Sequence, residues 1–461
     1  MSQTITFLGA AETVTGSKHL LTLNGHKVLV DCGLFQGNKE LRARNWQSLP
    51  IDLSTLEAIV ITHAHLDHIG YLPRLVKEGY RGPIYATEAT VELSRISLPD
   101  SGRIQEEDAR FANRHNLTKH DPALPLYTER DAFECLKLFK PVPYYQQHAL
   151  PGKAVFQYIP AGHILGSAFA EIYFENGERI LMSGDLGRFN TPVIKDPTTI
   201  EFAEYLVVES TYGDRLHAKE DVEGILSRIF NDAYRNHSVV LVPSFAIGRT
   251  QELLYFIHNL QQASKIPRMP IYIDSPMAVS TTKVFEDSKE EFDPEMQKAL
   301  ESGVNPLEPE NVTFIRDSEQ SKALNSQRGP MVVIAGSGMA NGGRIVHHLL
   351  HHLSDPNTVV LFTGYQAEGT LGRALIEGAH HVHIHKAQVE VRAQVEQLGS
   401  LSAHADQGEI MTWLRGYKTP PKRTFVVHGE PPAQEVLVAK IRQELGWDVV
   451  IPKQGESFEL V

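Results

Sequence analysis

Four residues of metal-binding type at the end of one buried strand constrain this chain more than any other feature. The run LEAIVIT (56–62) is short, apolar and rich in β-branched residues, the pattern of a buried strand. It feeds directly into His63-Ala64-His65-Leu66-Asp67-His68. Neutral imidazoles and carboxylates are the usual nitrogen and oxygen ligands of zinc. A loop leaving a strand can project residues i and i+2 to one side. The turn that follows can aim Asp67 and His68 at a second point a few ångströms away. Three further candidates stand at strand ends: His163 in PAGHILGS, Asp185 in LMSGDLG and His428 in TFVVHGE. Together these make seven ligands, enough for two metal ions sharing one carboxylate. The fold must therefore gather the ends of several strands at one place.

Composition removes other classes. The chain has 461 residues, 42% of them hydrophobic and 22% charged, which is ordinary globular usage. A coiled coil, a collagen-like chain and a disordered chain are excluded. The formal charge is −12, and no long segment is basic, so a nucleic acid would have to be held by local charges in a cleft. Cys32 and Cys135 are too few for a disulfide framework or a cysteine-based zinc site. No signal-peptide pattern and no apolar run of about 18 residues is visible, so the expectation is a cytoplasmic protein without a membrane span.

The rhythm of the chain changes twice. Residues 1–209 read as paired strands with covering helices. From about 205 to 380, short apolar runs (YLVVES, VVLVPSF, IYIDSP, MVVIAGSG, VVLFTG) alternate with helical stretches, which implies a parallel sheet covered on both faces. No Gly/Ser linker marks either boundary. The expected division is 1–209, an inserted domain 210–385, and a return to the first domain over 386–461. Two other histidine clusters lie in the insertion. His347, His348, His351 and His352 form i,i+4 pairs on a helix, and His381, His383 and His385 alternate on a strand. Neither has a carboxylate in a fixed loop nearby, and both read as polar faces. The loop AGSGMANGG precedes a helix, so Ser337 and Gly338 are candidate phosphate holders, beside the plainer reading of a tight turn.

HAHLDH followed by His163, Asp185 and a terminal histidine resembles the metallo-β-lactamase fold. Asp31, in LVDCG, matches that fold's first acidic position, which implies a carboxylate that orients ligands rather than one that binds metal. Glu209 before STYG, His404 in SAHAD and His428 in VHGE resemble motifs A, B and C of the β-CASP nucleases of that fold. PSFAIGRTQE, IYIDSPMA and TGYQAEGTLGR are similar to β-CASP sequence as well. The resemblance implies an α/β protein, an αββα sandwich with an inserted parallel α/β domain. It also implies two Zn2+ ions, one held by His63, His65 and His163, the other by Asp67, His68 and His428, with Asp185 bridging. Asp67, Asp185, Glu209 and His404 are the expected catalytic residues, with His404 beside the departing oxygen and Glu209 orienting it. The activity implied is phosphodiester hydrolysis to 5′-phosphate and 3′-hydroxyl products. A histidine in motif C points to single-stranded RNA, cut endonucleolytically. The implied protein is a stand-alone prokaryotic member, with a homodimer as a candidate assembly. A small-molecule hydrolase of the same fold and a non-catalytic RNA-binding subunit are the alternatives.

Overall fold

Alternation within single strands organises the protein. The strand Tyr205–Val208 is buried throughout, yet Tyr205 and Val207 enter one core while Leu206 and Val208 enter another. Successive side chains point to opposite faces, so a continuous apolar run means a sheet covered on both sides. The computed structural model describes residues 3–115, 122–385 and 387–460. It divides into two units: Met1–Asn190, Asp196–Leu216 and His404–Val461 form the first, and Thr191–Lys195 and His217–Ala403 the second.

The first unit holds two seven-stranded sheets. One runs Ser457–Leu460, Gln3–Phe7, His19–Leu23, His26–Val30, Leu56–Val60, Ile84–Ala86, Phe139–Pro141. The other runs Val449–Val450, Arg423–Val426, Tyr205–Val208, Arg179–Met182, Ala168–Tyr173, Ala154–Pro160, His148–Leu150. Their inner faces share a core that includes Ile5, Phe7, Val28, Val30 and Val60 from one, and Phe156, Ile172, Met182, Val207 and Phe425 from the other. Phe7 and Phe458 of the first sheet lie 5.1 and 5.0 Å, centroid to centroid, from Phe425 of the second, at tilted angles favourable to aromatic pairs. On the outer face of the second sheet, Leu181, Leu206 and Val426 pack against helices Gln407–Leu414 and Pro431–Leu445 through Met411, Trp413 and Leu437. The long helix Glu88–His115 buries Val91, Leu93 and Leu98 and touches the edge strand Phe139–Pro141.

Register places the chemistry. Val30 pairs with Val60 in parallel, so Asp31 emerges beside the end of the Leu56–Val60 strand. Tyr205–Val208 is parallel to both Arg179–Met182 and Arg423–Val426, with Met182 opposite Val207 and Val208 opposite Val426. Three parallel strands thus end together just before Asp185, Glu209 and His428.

The second unit is built on six parallel strands in the order Val312–Phe314, Ile271–Asp274, Met331–Ala335, Val239–Pro243, Thr358–Phe362, Gln394–Gln397. Val240, Val242, Val332 and Ile334 face helices Val222–Asn236 and Arg249–Gln262, while Leu241, Val333 and Val360 face helix Arg344–His352. Gln394–Gln397, which falls after residue 385, pairs here with Thr358–Phe362 as an edge strand of this sheet. Among the described residues no helix is long and apolar enough to cross a membrane.

Candidate metal centre

The histidine loop is held by backbone before any side chain acts. Cys32 N–H donates to the His68 carbonyl (2.7 Å) and Ser17 N–H to the Asp67 carbonyl (2.8 Å). A Cβ at Gly33 would stand 1.5 Å from the Asp67 carbonyl oxygen, so only glycine lets the two loops approach this closely. Asp31 and His428 both adopt left-handed backbone, φ 59° and 50°, uncommon for residues other than glycine. Such conformations concentrate at functional sites.

The side chains fall into three groups whose ligand atoms lie within 4.8 Å of one another: His63, His65, His163 and Asp185; Asp67, His68 and His428; Asp185, Glu209 and His404. In the first, His65 Nδ1 is 3.1 Å from His63 Nε2 and 3.2 Å from His163 Nε2. In the second, His68 Nε2 is 3.2 Å from His428 Nε2, which is 3.4 Å from Asp67 Oδ2. Asp185 belongs to both sides. Its Oδ2 lies 3.3 Å from His63 Nε2 and 3.5 Å from His163 Nε2, while its Oδ1 lies 3.2 Å from His68 Nε2 and 3.6 Å from His428 Nε2.

These contacts do not resolve into ordinary hydrogen bonds. Three ring nitrogens converge on one point, and a neutral imidazole carries only one proton. Asp185 Oδ1 is buried with no hydrogen-bond partner, a costly condition for a carboxylate. A metal cation satisfies both defects, since it accepts imidazole lone pairs and neutralises carboxylate charge. The donor set therefore fits a metal.

Proton affinities in the first group agree. Burial pushes the His63, His65 and His163 imidazoles below their ordinary value, His65 to about 3, leaving them neutral as ligands must be. Burial opposes charge on His68 too, but the Asp185 and Asp31 carboxylates outweigh it and hold this ring well above the ordinary value. Burial would raise Asp67 and Asp185; the surrounding histidines hold both below the usual carboxylate range.

Asp31 stands outside the three groups and accepts from His68 Nδ1–H at 2.7 Å. Thr211 Oγ1 lies 3.1 Å from His428 Nδ1. Glu209, fully buried, accepts from Leu186 N–H (2.8 Å), Thr211 N–H (3.1 Å) and His404 Nδ1–H (3.0 Å). Burial disfavours the charged His404 ring, yet Glu209 and Asp185 raise it to about 9. Asp406, the acid that ends SAHAD, acts on the backbone instead and forms a capping box with Glu409 at the start of helix Gln407–Leu414. Sequence reasoning missed Thr62 and Thr211, whose one available signal is a hydroxyl beside a ligand loop.

Ser337 and Gly338 lie in the second unit and join none of the three groups. Ser337 Oγ accepts from Asn341 N–H at 3.1 Å, and the Gly338 backbone lies against the Phe245 ring. The reading of the other histidine clusters needs correcting in part. His347 and His351 are exposed, as are His381, His383 and His385. His348 and His352, however, are buried, and His348 Nε2 lies 2.7 Å from the Asp274 carboxylate. Helix Arg344–His352 turns one of its two histidine pairs into the core, so this pair is no polar face and does have a carboxylate beside it.

Three family signatures match the chain: a metallo-β-lactamase superfamily domain over 20–188, a Beta-Casp domain over 250–375, and a Zn-dependent metallo-hydrolase RNA specificity domain over 388–452. A protein named as a ribonuclease in Thermus thermophilus is 40% identical, with 97% of this chain and 98% of that protein covered. The transcription termination factor FttA of Methanocaldococcus jannaschii is 30% identical over 92% of this chain and 67% of its own length. An RNase J-like protein of the same archaeon is 31% identical over 93% of each. A crystal structure of an Enterococcus faecalis protein of unknown function shares the fold, at a TM-score of 0.54 and 15% identity over 100% of both chains. The three signatures in their order, and a 40% identical relative matched over nearly its whole length, meet the ligand geometry at one conclusion: the chain belongs to the β-CASP family of metallo-β-lactamase-fold, metal-dependent hydrolases.

Proposed function

We propose that the protein is a zinc-dependent ribonuclease that hydrolyses single-stranded RNA endonucleolytically at a two-metal centre. One observation carries this reading: the two oxygens of Asp185 face two separate ligand groups. Tetrahedral zinc with bonds of about 2.0–2.1 Å sets its nitrogen ligands about 3.3 Å apart, close to the spacings within each group. His63, His65 and His163 would hold one ion, Asp67, His68 and His428 the other, and Asp185 both. Two zinc ions would supply Lewis acidity toward the phosphate oxygens of an in-line displacement.

The chain's own residues supply the rest. Glu209 holds His404 by Nδ1, which leaves Nε2–H as the proton to give. Water forms the new bond to phosphorus and releases its proton to solvent. The bond to the 3′ oxygen breaks, and that oxygen takes the His404 Nε2 proton, giving 5′-phosphate and 3′-hydroxyl ends. Relatives named as a ribonuclease and as an RNase J-like protein, and the RNA specificity signature, support RNA over a lactam or thioester. The same reading gives a cytoplasmic enzyme, a homodimer as candidate assembly, and Ser337 and Gly338 as candidate phosphate contacts.

The test is to incubate the zinc-loaded protein with end-labelled single-stranded RNA, matched DNA, nitrocefin and a lactoylglutathione thioester. Internal RNA cuts bearing 5′-phosphates are expected. Turnover of the lactam or thioester with intact RNA would overturn the reading, and equal rates on RNA and DNA would remove the RNA preference alone.

A further inference from the structure

Proton positions around Asp31 follow from valence. Every hydrogen-bond neighbour of this carboxylate is a donor: Thr62 N–H at 2.8 Å, the Thr62 hydroxyl at 2.9 and 3.1 Å, the Ser17 hydroxyl at 3.4 Å, and His68 Nδ1 at 2.7 Å. A carboxylate can only accept here, so His68 carries a proton on Nδ1, and the nitrogen left for a metal is Nε2, which faces Asp185 and His428. His63 has no carboxylate beside Nδ1. It has Thr62 Oγ1, at 3.1 Å. The Thr62 hydroxyl owns one proton, and Asp31 takes it. Toward His63 the same oxygen can only accept, so His63 is protonated on Nδ1 and its Nε2, 3.3 Å from Asp185 Oδ2, is bare.

We propose that Thr62 is a positioning residue for both ligand groups. Its hydroxyl extends the orienting effect of Asp31 to His63, so one buried carboxylate sets the ring tautomer of a ligand in each group. This rests on the metal-centre reading above. Further geometry agrees. Thr62 is 1% exposed, so solvent does not compete for its hydroxyl. The residue before Asp185 is Gly184, where a Cβ would stand 2.6 Å from Thr62 Oγ1 and 2.7 Å from Thr62 Cβ. The turn carrying the shared carboxylate therefore rests on the Thr62 side chain. Partners that fix the far nitrogen of a ligating histidine commonly govern metal affinity.

The test compares the full chain with Thr62→Val, which keeps shape and removes the hydroxyl, and Thr62→Ser, which keeps the hydroxyl. Long-range proton–nitrogen NMR on metal-stripped, 15N-histidine protein, with His63 assigned through His63→Ala, reads the tautomer directly. Zinc affinity is read by competition with a chromophoric chelator. The unmodified protein and Thr62→Ser should show His63 protonated on Nδ1, and Thr62→Val a mixture of tautomers. Zinc binding should weaken about 10–100-fold in Thr62→Val and be restored in Thr62→Ser. Unchanged affinity in Thr62→Val overturns the proposal alone, and so does His63 protonated on Nε2 in the unmodified protein. The latter measurement decides even if Thr62→Val fails to fold. An unmodified protein that takes up no zinc overturns the metal-centre reading and this proposal with it.

Discussion

Two histidine-rich stretches of this protein have opposite fates. In the loop after the Leu56–Val60 strand, ring nitrogens face one another and a carboxylate oxygen is left without a donor. In helix Arg344–His352, the one deeply buried ring has an acceptor at each nitrogen: His348 Nε2 meets Asp274 and Nδ1 meets Asn325 Oδ1, both at 2.7 Å. Arg344 and Ser321 complete the shell around Asp274. Both stretches offer ligand spacing on paper. What separates them is residual valence. The loop gathers lone pairs from several rings and a carboxylate at one place, whereas in the helix His348 is closed by its own hydrogen bonds and the one unpartnered ring nitrogen, His352 Nε2, joins no ligand group among the described residues. Convergence of several ligand atoms on one place, with a buried carboxylate oxygen left unpartnered there, marks the candidate metal site better than histidine count does.

The contrast can be broken most forcefully at Asp185. Asp185→Asn should lower metal content from two ions toward one or none and abolish cleavage, as read by elemental analysis and RNA assay. Full metal with full activity would show that the two groups do not share this carboxylate. Next comes His404→Ala, which should retain its zinc and lose about 10²–10⁴-fold in cleavage, because only the proton donor is gone. The pH profile sharpens this. On the proposed mechanism the acid form of His404 is the active one, so with the ring raised to about 9, activity should hold below that pH and decline as pH rises through it. Glu209→Gln removes the main carboxylate raising the ring and should move that decline to lower pH.

Smaller effects are expected on the helix side. His348→Leu leaves metal content unchanged but removes one donor from buried Asp274, which keeps Arg344 and Ser321. A loss of about 1–3 kcal/mol in denaturant unfolding is expected. Zinc loss in this variant would erase the distinction between the two stretches. The exposed pair should matter least: His347→Ala with His351→Ala should change stability by no more than about 0.5 kcal/mol and leave metal content alone.

Much of the candidate site was legible in the sequence because most of its candidate ligands closely follow an apolar run that reads as a buried strand, and parallel strands end on one side. Asp31 was legible only through the family resemblance. The burial of His348 was not, because four histidines within six positions carry no sign of which helix face meets the core; that depends on Leu349, Val346 and the sheet beneath them. The strand Gln394–Gln397 was equally hidden. It is a polar edge strand, with no residue in its burial pattern fully enclosed, and only its pairing with Thr358–Phe362 identifies it. Thr62 was overlooked because a threonine ending a strand is ordinary β-sheet composition. Its importance arises from Asp31, which lies thirty-one positions earlier and meets it only through parallel register.

The register of Tyr205–Val208 against Arg423–Val426 has a temporal side. All four members of the His63 group are synthesised by residue 185, so that pocket can close as soon as the early strands of the first unit have paired. The pocket of Asp67 and His68 waits for His428, which arrives only after the whole second unit has left the ribosome. Bringing those two strands together closes a very long loop, a slow step in β-sheet assembly. The two groups thus differ in when their last member is made, residue 185 for one and residue 428 for the other, and only the second depends on a strand from the far end of the chain.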